Sequence, residues 1–191
     1  QPGKDVQLER FDGYWGTKPP VTKATFIWRG ESAVRAAMVK TGEADIAPNI
    51  AVQDANDSTM DFSYPNSETS RLRIDTTRPP LNNRNVRMAL NLAIDRNALR
   101  GSIFSKDVIP ATQLVVASIN GHNPELKVWP YDLAKAKQLL AKARSEGANL
   151  DQEIVLIGRT NIYPNATEVM EATMAMYQEL GLNVKLKVYE V

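Results

Sequence analysis

The chain has no cysteine and a single histidine, His122, among its 191 residues. The first absence excludes disulfides, thiol nucleophiles and thiolate metal sites. Both together exclude a Cys–His catalytic pair and a His-rich metal site formed within these residues. No apolar run approaches the roughly 20 residues of a membrane span. No Gly-Lys-Ser/Thr phosphate loop and no Gly-x-Gly-x-x-Gly fingerprint occurs. The net charge of +1 supplies no global field toward nucleic acid or an anionic membrane, and the cations do not gather into a nucleic-acid footprint. The opening Gln1-Pro-Gly-Lys4 is no signal peptide, so any such segment is expected to have been removed or to lie outside this stretch.

What is present is ordinary for a soluble globular protein: 43% hydrophobic and 24% charged residues. A chain of this length suits one large domain or two small ones, burying roughly 70% of its unfolded surface. Asp5 to Phe11 alternates apolar and polar residues and predicts a strand, as does Thr22 to Trp28, with a Pro- and Gly-rich turn between them. Glu31 to Lys40 carries Val34, Ala37 and Met38 on one face and stops at Gly42, which predicts a helix with a left-handed C-terminal cap. A short strand is expected to start at Asp45, a helical turn over residues 51–58, and strands over 61–64 and 68–77.

After Pro79-Pro80, Asn82 and Asn83 are candidate helix caps. Val86, Ala89, Leu90, Ala93 and Ile94 then recur at i, i+3, i+4, i+7 and i+8, one core-facing stripe. Asp95 caps a further helical turn, and Ile109 to Gly121 reads as mixed strand and loop. Asp132 opens a helix carrying Leu133, Ala136, Leu139, Leu140 and Ala143, closed at Gly147. Gln152 to Gly158, Asn165 to Leu180 and Leu182 to Val188 read as strand, helix and strand. That spacing predicts a right-handed βαβ unit with parallel strands.

Little here carries covalent chemistry. His122 sits in Asn120-Gly-His-Asn-Pro124, the setting of a loop residue. Asp54-Ala-Asn-Asp-Ser58 mimics the opening of a calcium loop, but Thr59 stands where glycine is needed and Pro65 where a bidentate glutamate is needed, so calcium is excluded. No carboxylates form an acid–base pair by spacing. Arg71, Arg73 and Arg78 either pair with surface acids or offer a carboxylate or phosphate a bidentate partner.

The stretch Arg71-Leu-Arg-Ile-Asp-Thr-Thr-Arg-Pro-Pro80, followed by the Arg-rich helix that leads to Ala93-Ile-Asp-Arg96, resembles the hinge crossing of the extracellular solute-binding proteins of ABC importers. The family is the one that includes the dipeptide, oligopeptide and nickel binders. Phe11-Asp-Gly-Tyr-Trp-Gly16 and Gly42-Glu-Ala-Asp-Ile46 resemble a second signature of that family, although aromatics with glycines also read as a packed turn. Pro110-Ala-Thr-Gln-Leu114, Gly121-His-Asn-Pro124, Pro130-Tyr-Asp132 and Gly181-Leu-Asn-Val-Lys-Leu186 extend the agreement, which runs from about Leu8 to Val191.

The resemblance implies an α/β chain that is a central fragment of a two-lobed periplasmic-binding-protein fold of class C type, with mixed sheets, packed helices and a C-terminal βαβ unit. It implies that residues 1–75 end the first segment of lobe I and that 76–191 begin lobe II, joined by a hinge near 74–80. Arg73, Ile74, Asp75 and Thr76 are then the candidate ligand-binding residues, at the cleft before the Pro turn. The sequence departs from the family pattern at Asp75, where the family has asparagine; the added charge suits a cationic group on a ligand or a neighbouring arginine.

The function implied is capture of a peptide or other small solute between the lobes and its delivery to an ABC permease, without catalysis or cofactor. The location implied is periplasmic or extracellular, with a lipid anchor possible in the full-length protein. A solute-sensing or regulatory module on the same lobes, and a hydrolase using scattered carboxylates, are the alternatives. No nucleic-acid partner is expected. Apolar surface left uncovered in a fragment is expected to favour self-association.

Overall fold

The computed structural model describes residues 3–64 and 66–190, so the Pro65 of the excluded calcium loop lies outside the described residues. The chain forms two compact units, residues 1–50 and 51–191.

In the first unit β1 (Asp5–Glu9) pairs antiparallel with β2 (Lys23–Ile27), Asp5 opposite Ile27 and Leu8 opposite Ala24. Lys23 bridges to Glu9 at 2.8 Å across the end of this pair. α1 (Ser32–Thr41) follows and ends at Gly42, whose φ of 78° is open to glycine because it has no Cβ. Arg35 reaches back from α1 to the loops around it. One of its terminal nitrogens donates to the carbonyls of Arg29 and Gly30 at 2.8 and 2.7 Å, and the other to Asn49 at 2.6 Å. The strand expected from Asp45 is absent: residues 45–48 make no ladder.

The second unit contains α2 (Arg84–Ala93), α3 (Arg96–Leu99), α4 (Leu133–Ser145), β3 (Ile154–Arg159), α5 (Ala166–Glu179) and β4 (Val184–Tyr189). β3 and β4 are parallel, with Ile154 opposite Val184, and α5 is the crossover that parallel pairing requires. α2 packs chiefly on α4, and α5 lies on both strands. One core joins them: Val86, Ala89, Leu90 and Ala93 from α2, Ala136, Leu140 and Ala143 from α4, Tyr177 from α5, and Ile154 and Val184 from the strands. The predicted stripe of α2 is therefore the buried one, with Ile94 half-buried at its end and Leu92 added to it.

The caps are local and as the side chains dictate. Asn83 accepts from the Asn85 and Val86 amides, Asp95 from Asn97 and Ala98, and Asp132 from Lys135. Asn165 is different. Its backbone is left-handed, and its side chain ignores the helix it precedes. It exchanges two 3.0 Å amide hydrogen bonds with Gln53 and donates to the Ile103 carbonyl at 2.9 Å, tying three distant segments together.

The strands expected at 61–64 and 68–77, and the strand component of 109–121, are absent; these stretches run as turns and irregular backbone. Alternation marks a segment that fits a pleated surface, but a strand exists only when a neighbouring backbone satisfies its N–H and C=O groups. Among the described residues each sheet has two strands, and no third strand pairs with either. Side chains hold these segments instead, as where the Thr69 hydroxyl donates to the Leu114 carbonyl at 3.0 Å.

Candidate functional site

The segment from Arg73 to Pro80 leads into α2 and contains all four sequence-predicted site residues. Arg73 and Thr76 are exposed. Ile74 is half-buried and packs against the core of the second unit, so its side chain anchors this segment. Asp75 is the most organised of the four. Its Oδ1 accepts from the Thr77 amide at 3.0 Å and from the Thr77 hydroxyl at 2.6 Å, while Arg78 Nε bridges to Oδ2 at 3.0 Å. The Thr77 hydroxyl bond, then the Thr77 amide bond, and then the charge of Arg78 hold the Asp75 carboxyl below its ordinary value. The arginine that pairs with Asp75 is therefore Arg78, while Arg71 and Arg73 carry no ion pair among the described residues.

Beyond the prolines, Arg87 pins the turn. One of its terminal nitrogens donates to the Leu81 and Asn82 carbonyls at 2.9 and 2.8 Å. On the other side of Asn83 lies a carboxylate that no local sequence pattern places there. Glu146, just past the end of α4, accepts from the side-chain amide of Asn83 at 3.1 Å and from that of Asn85 at 3.1 and 2.9 Å. These bonds, Asn83 first, hold the Glu146 carboxyl below its ordinary value. The negative charge also faces the N-terminal end of α2, where the helix dipole favours it. Pro79, Pro80, Asn82, Asn83 and Glu146, with Gly147 to Asn149 and Gln152, line an open groove of about 550 Å³. Glu146 is more than 60 residues from its partners in sequence, so no local pattern points to it.

Chemically, the segment presents an exposed arginine and an ion-paired carboxylate and, among the described residues, holds no paired acid and base. Among the described residues no cluster of three or more His, Asp or Glu side chains could hold a metal ion. No helix among the described residues is long and apolar enough to cross a membrane. Arg96 is half-buried and donates to the Asn91 and Ile94 carbonyls at 3.2 and 3.3 Å, a structural use of its charge. Burial lowers its pKa and raises that of Tyr177.

Comparison with known proteins gives a consistent result. The family model of bacterial extracellular solute-binding proteins, family 5 middle, matches residues 1–191. The dipeptide-binding protein of Escherichia coli is 28% identical over 97% of this chain and 36% of its own length. A glutathione-binding protein, GsiB, of Salmonella paratyphi A is 30% identical over 95% of this chain and 36% of its own length. The periplasmic binding protein DppA of Helicobacter pylori, solved with the peptide STSA, superposes with a TM-score of 0.74 at 23% identity over 98% of this chain and 36% of that one. NikA of Brucella suis, solved with Fe(III)-EDTA, gives a TM-score of 0.76 at 22% identity, with 98% and 41% covered. The chain thus spans about a third of the length of the curated relatives it matches, and its fold is that of a fragment of these binding proteins.

Proposed function

Because this chain belongs to the bacterial extracellular solute-binding proteins of family 5, we propose that the protein it is part of captures a peptide or other small solute between two lobes and hands it to an ABC permease. The observation that carries this reading is the family match along the entire chain. In this reading the protein works outside the cytoplasmic membrane, in the periplasm or on the cell surface, and makes and breaks no bond. Residues 1–75 in this reading end the first segment of lobe I and 76–191 begin lobe II, with the hinge near 74–80, and residues 51–75, which cluster with the second unit, form the approach to that hinge. Closure of the lobes buries the solute, and the hinge absorbs the dihedral change.

Arg73, Ile74, Asp75 and Thr76 stand at that hinge. Asp75, kept ionised by Thr77 and Arg78, offers a negative charge that it shares with Arg78, and Arg73, which has no ion pair among the described residues, offers a positive one. A zwitterionic peptide presents both complementary charges, which favours a peptide over a neutral solute.

Small-molecule mass spectrometry on full-length protein purified without denaturation is expected to show a co-purifying peptide or small solute. Calorimetry with that solute is expected to show weaker binding for Arg73→Ala and Asp75→Asn. A full-length protein that carries no solute and gives no heat with a library of di- to pentapeptides or with glutathione would overturn the reading.

A further inference from the structure

α2 has two faces. Val86, Ala89, Leu90 and Ala93 turn into the core, so helical periodicity puts Arg84, Arg87, Met88 and Asn91 together on the opposite side. With Trp129, from the loop before α4, these four residues line an open trough of about 250 Å³. Its walls are fixed by hydrogen bonds to backbone carbonyls. Arg96 donates to the Trp129 carbonyl at 3.5 Å, and the Asp132 amide donates to the Leu92 carbonyl at 2.9 Å, so the Trp129 loop is tied to α2. Arg87 is held by the Leu81 and Asn82 carbonyls, and Asn91 Nδ2 donates to the Arg87 carbonyl at 3.1 Å.

The charge in the trough is not neutralised. No carboxylate lines it, and neither Arg84 nor Arg87 has an ion pair among the described residues. Trp129 is 41% exposed beside them. Arginine and tryptophan are both enriched among the few residues that carry most of the energy of protein interfaces. The trough is smaller than the roughly 300–1,000 Å³ of pockets that enclose small molecules, and it is open along one side. A free solute would stay mostly solvated there, whereas a protein segment gains further contacts along α2.

We propose that this trough docks an acidic segment of a partner protein, with one Asp or Glu carboxylate between Arg84 and Arg87 and a neighbouring apolar residue against Trp129 and Met88.

The test uses full-length protein and a fluorescein-labelled, acetylated and amidated dodecapeptide of alternating glutamate and leucine, with a glutamine-for-glutamate peptide as its neutral counterpart. Polarisation titrations are expected to show binding of the acidic peptide, weakened about tenfold by Arg84→Glu and by Trp129→Ala. Lys137→Glu, an equal charge reversal on the exposed face of α4, is expected to leave it unchanged. Arg84→Gln, which removes the charge without adding one, is expected to weaken binding less than Arg84→Glu; it replaces that variant if the latter loses its native thermal transition. Equal binding of the neutral peptide, an equal loss with Lys137→Glu, or full binding by both Arg84 variants would overturn the proposal. The last of these would place the peptide elsewhere on the protein, including any cleft between the lobes.

Discussion

In the unit of residues 51–191, Val86, Ala89, Ala136 and Ala143 are fully buried, and two helices, a crossover helix and a parallel strand pair share one core. In the unit of residues 1–50, Ala36 is the only buried residue among the described ones, while Leu8, Phe26 and Trp28 are each more than half exposed. The two units have similar chemistry in their sequences but different numbers of layers. An amphipathic helix finds a partner wherever another helix lies beside it, as α2 does on α4. A two-stranded sheet buries nothing until something covers a face, and an isolated pair is marginal in water. The comparison teaches that apolar residues stabilise only through the layer set against them.

The largest test of this difference is Leu90→Asp. Leu90 is 3% exposed at the centre of the α2 stripe, and a carboxylate there has no partner. Stability is expected to fall by about 3–5 kcal/mol, read as the loss of the main thermal transition. Asn91→Asp, one residue on and half-buried, is expected to be mild. Equal effects would show that the core of the second unit is not built on this stripe.

The same contrast explains how much of the fold and site was legible in the sequence. Helices were legible because their signals are local: Asn83, Asp95 and Asp132 cap the helices they precede, and the α2 stripe repeats within its own length. The βαβ end was legible for the same reason, since Gly158 and Gly181 bracket a helix of the right length. The strands expected at 61–64 and 68–77 failed because Leu72 and Ile74 reveal a pleated pattern but not a partner. Ile74 fills a gap in the core instead. Of the candidate site, the Asp75–Arg78 pair was readable as a neighbouring arginine, but the Glu146–Asn83–Asn85 network joins side chains too distant for any spacing rule.

Cap removal should give a smaller effect. Asn83→Ala loses the acceptor for the Asn85 and Val86 amides and one donor to Glu146. A loss of about 1 kcal/mol is expected by chemical denaturation, against a smaller change for Asn82→Ala, which makes no such bond.

The Glu146 network adds a pH signature to the second unit alone. Its folded pKa lies below the ordinary 4.5 because Asn83 and Asn85 donate to the charged form. A carboxyl of this kind stabilises the fold above its unfolded pKa, and the contribution is lost as pH falls through 4.5 toward the lower folded value. Melts between about pH 6 and pH 3 are therefore expected to drop less steeply for Glu146→Gln than for the parent. Asp75, whose pKa is lowered in the same sense by Thr77, retains part of the slope in that variant. Identical slopes would remove Glu146 from the list of groups that join α2 to α4.

The smallest expected effect is the sharpest statement about the first unit. Phe26 is 57% exposed on β2, opposite Val6, which is itself 43% exposed. Removing a side chain that is already in water gives up little, so Phe26→Ser is expected to change stability by less than about 0.5 kcal/mol. The same substitution takes away apolar surface that a second copy could cover, and the open edges of the strand pair invite such pairing. Light scattering on the 191-residue chain is expected to show less self-association for Phe26→Ser than for the parent, with an unshifted melt. A loss of stability comparable to that of Leu90→Asp would mean that Phe26 is covered in solution, and the contrast between the two units would then fall.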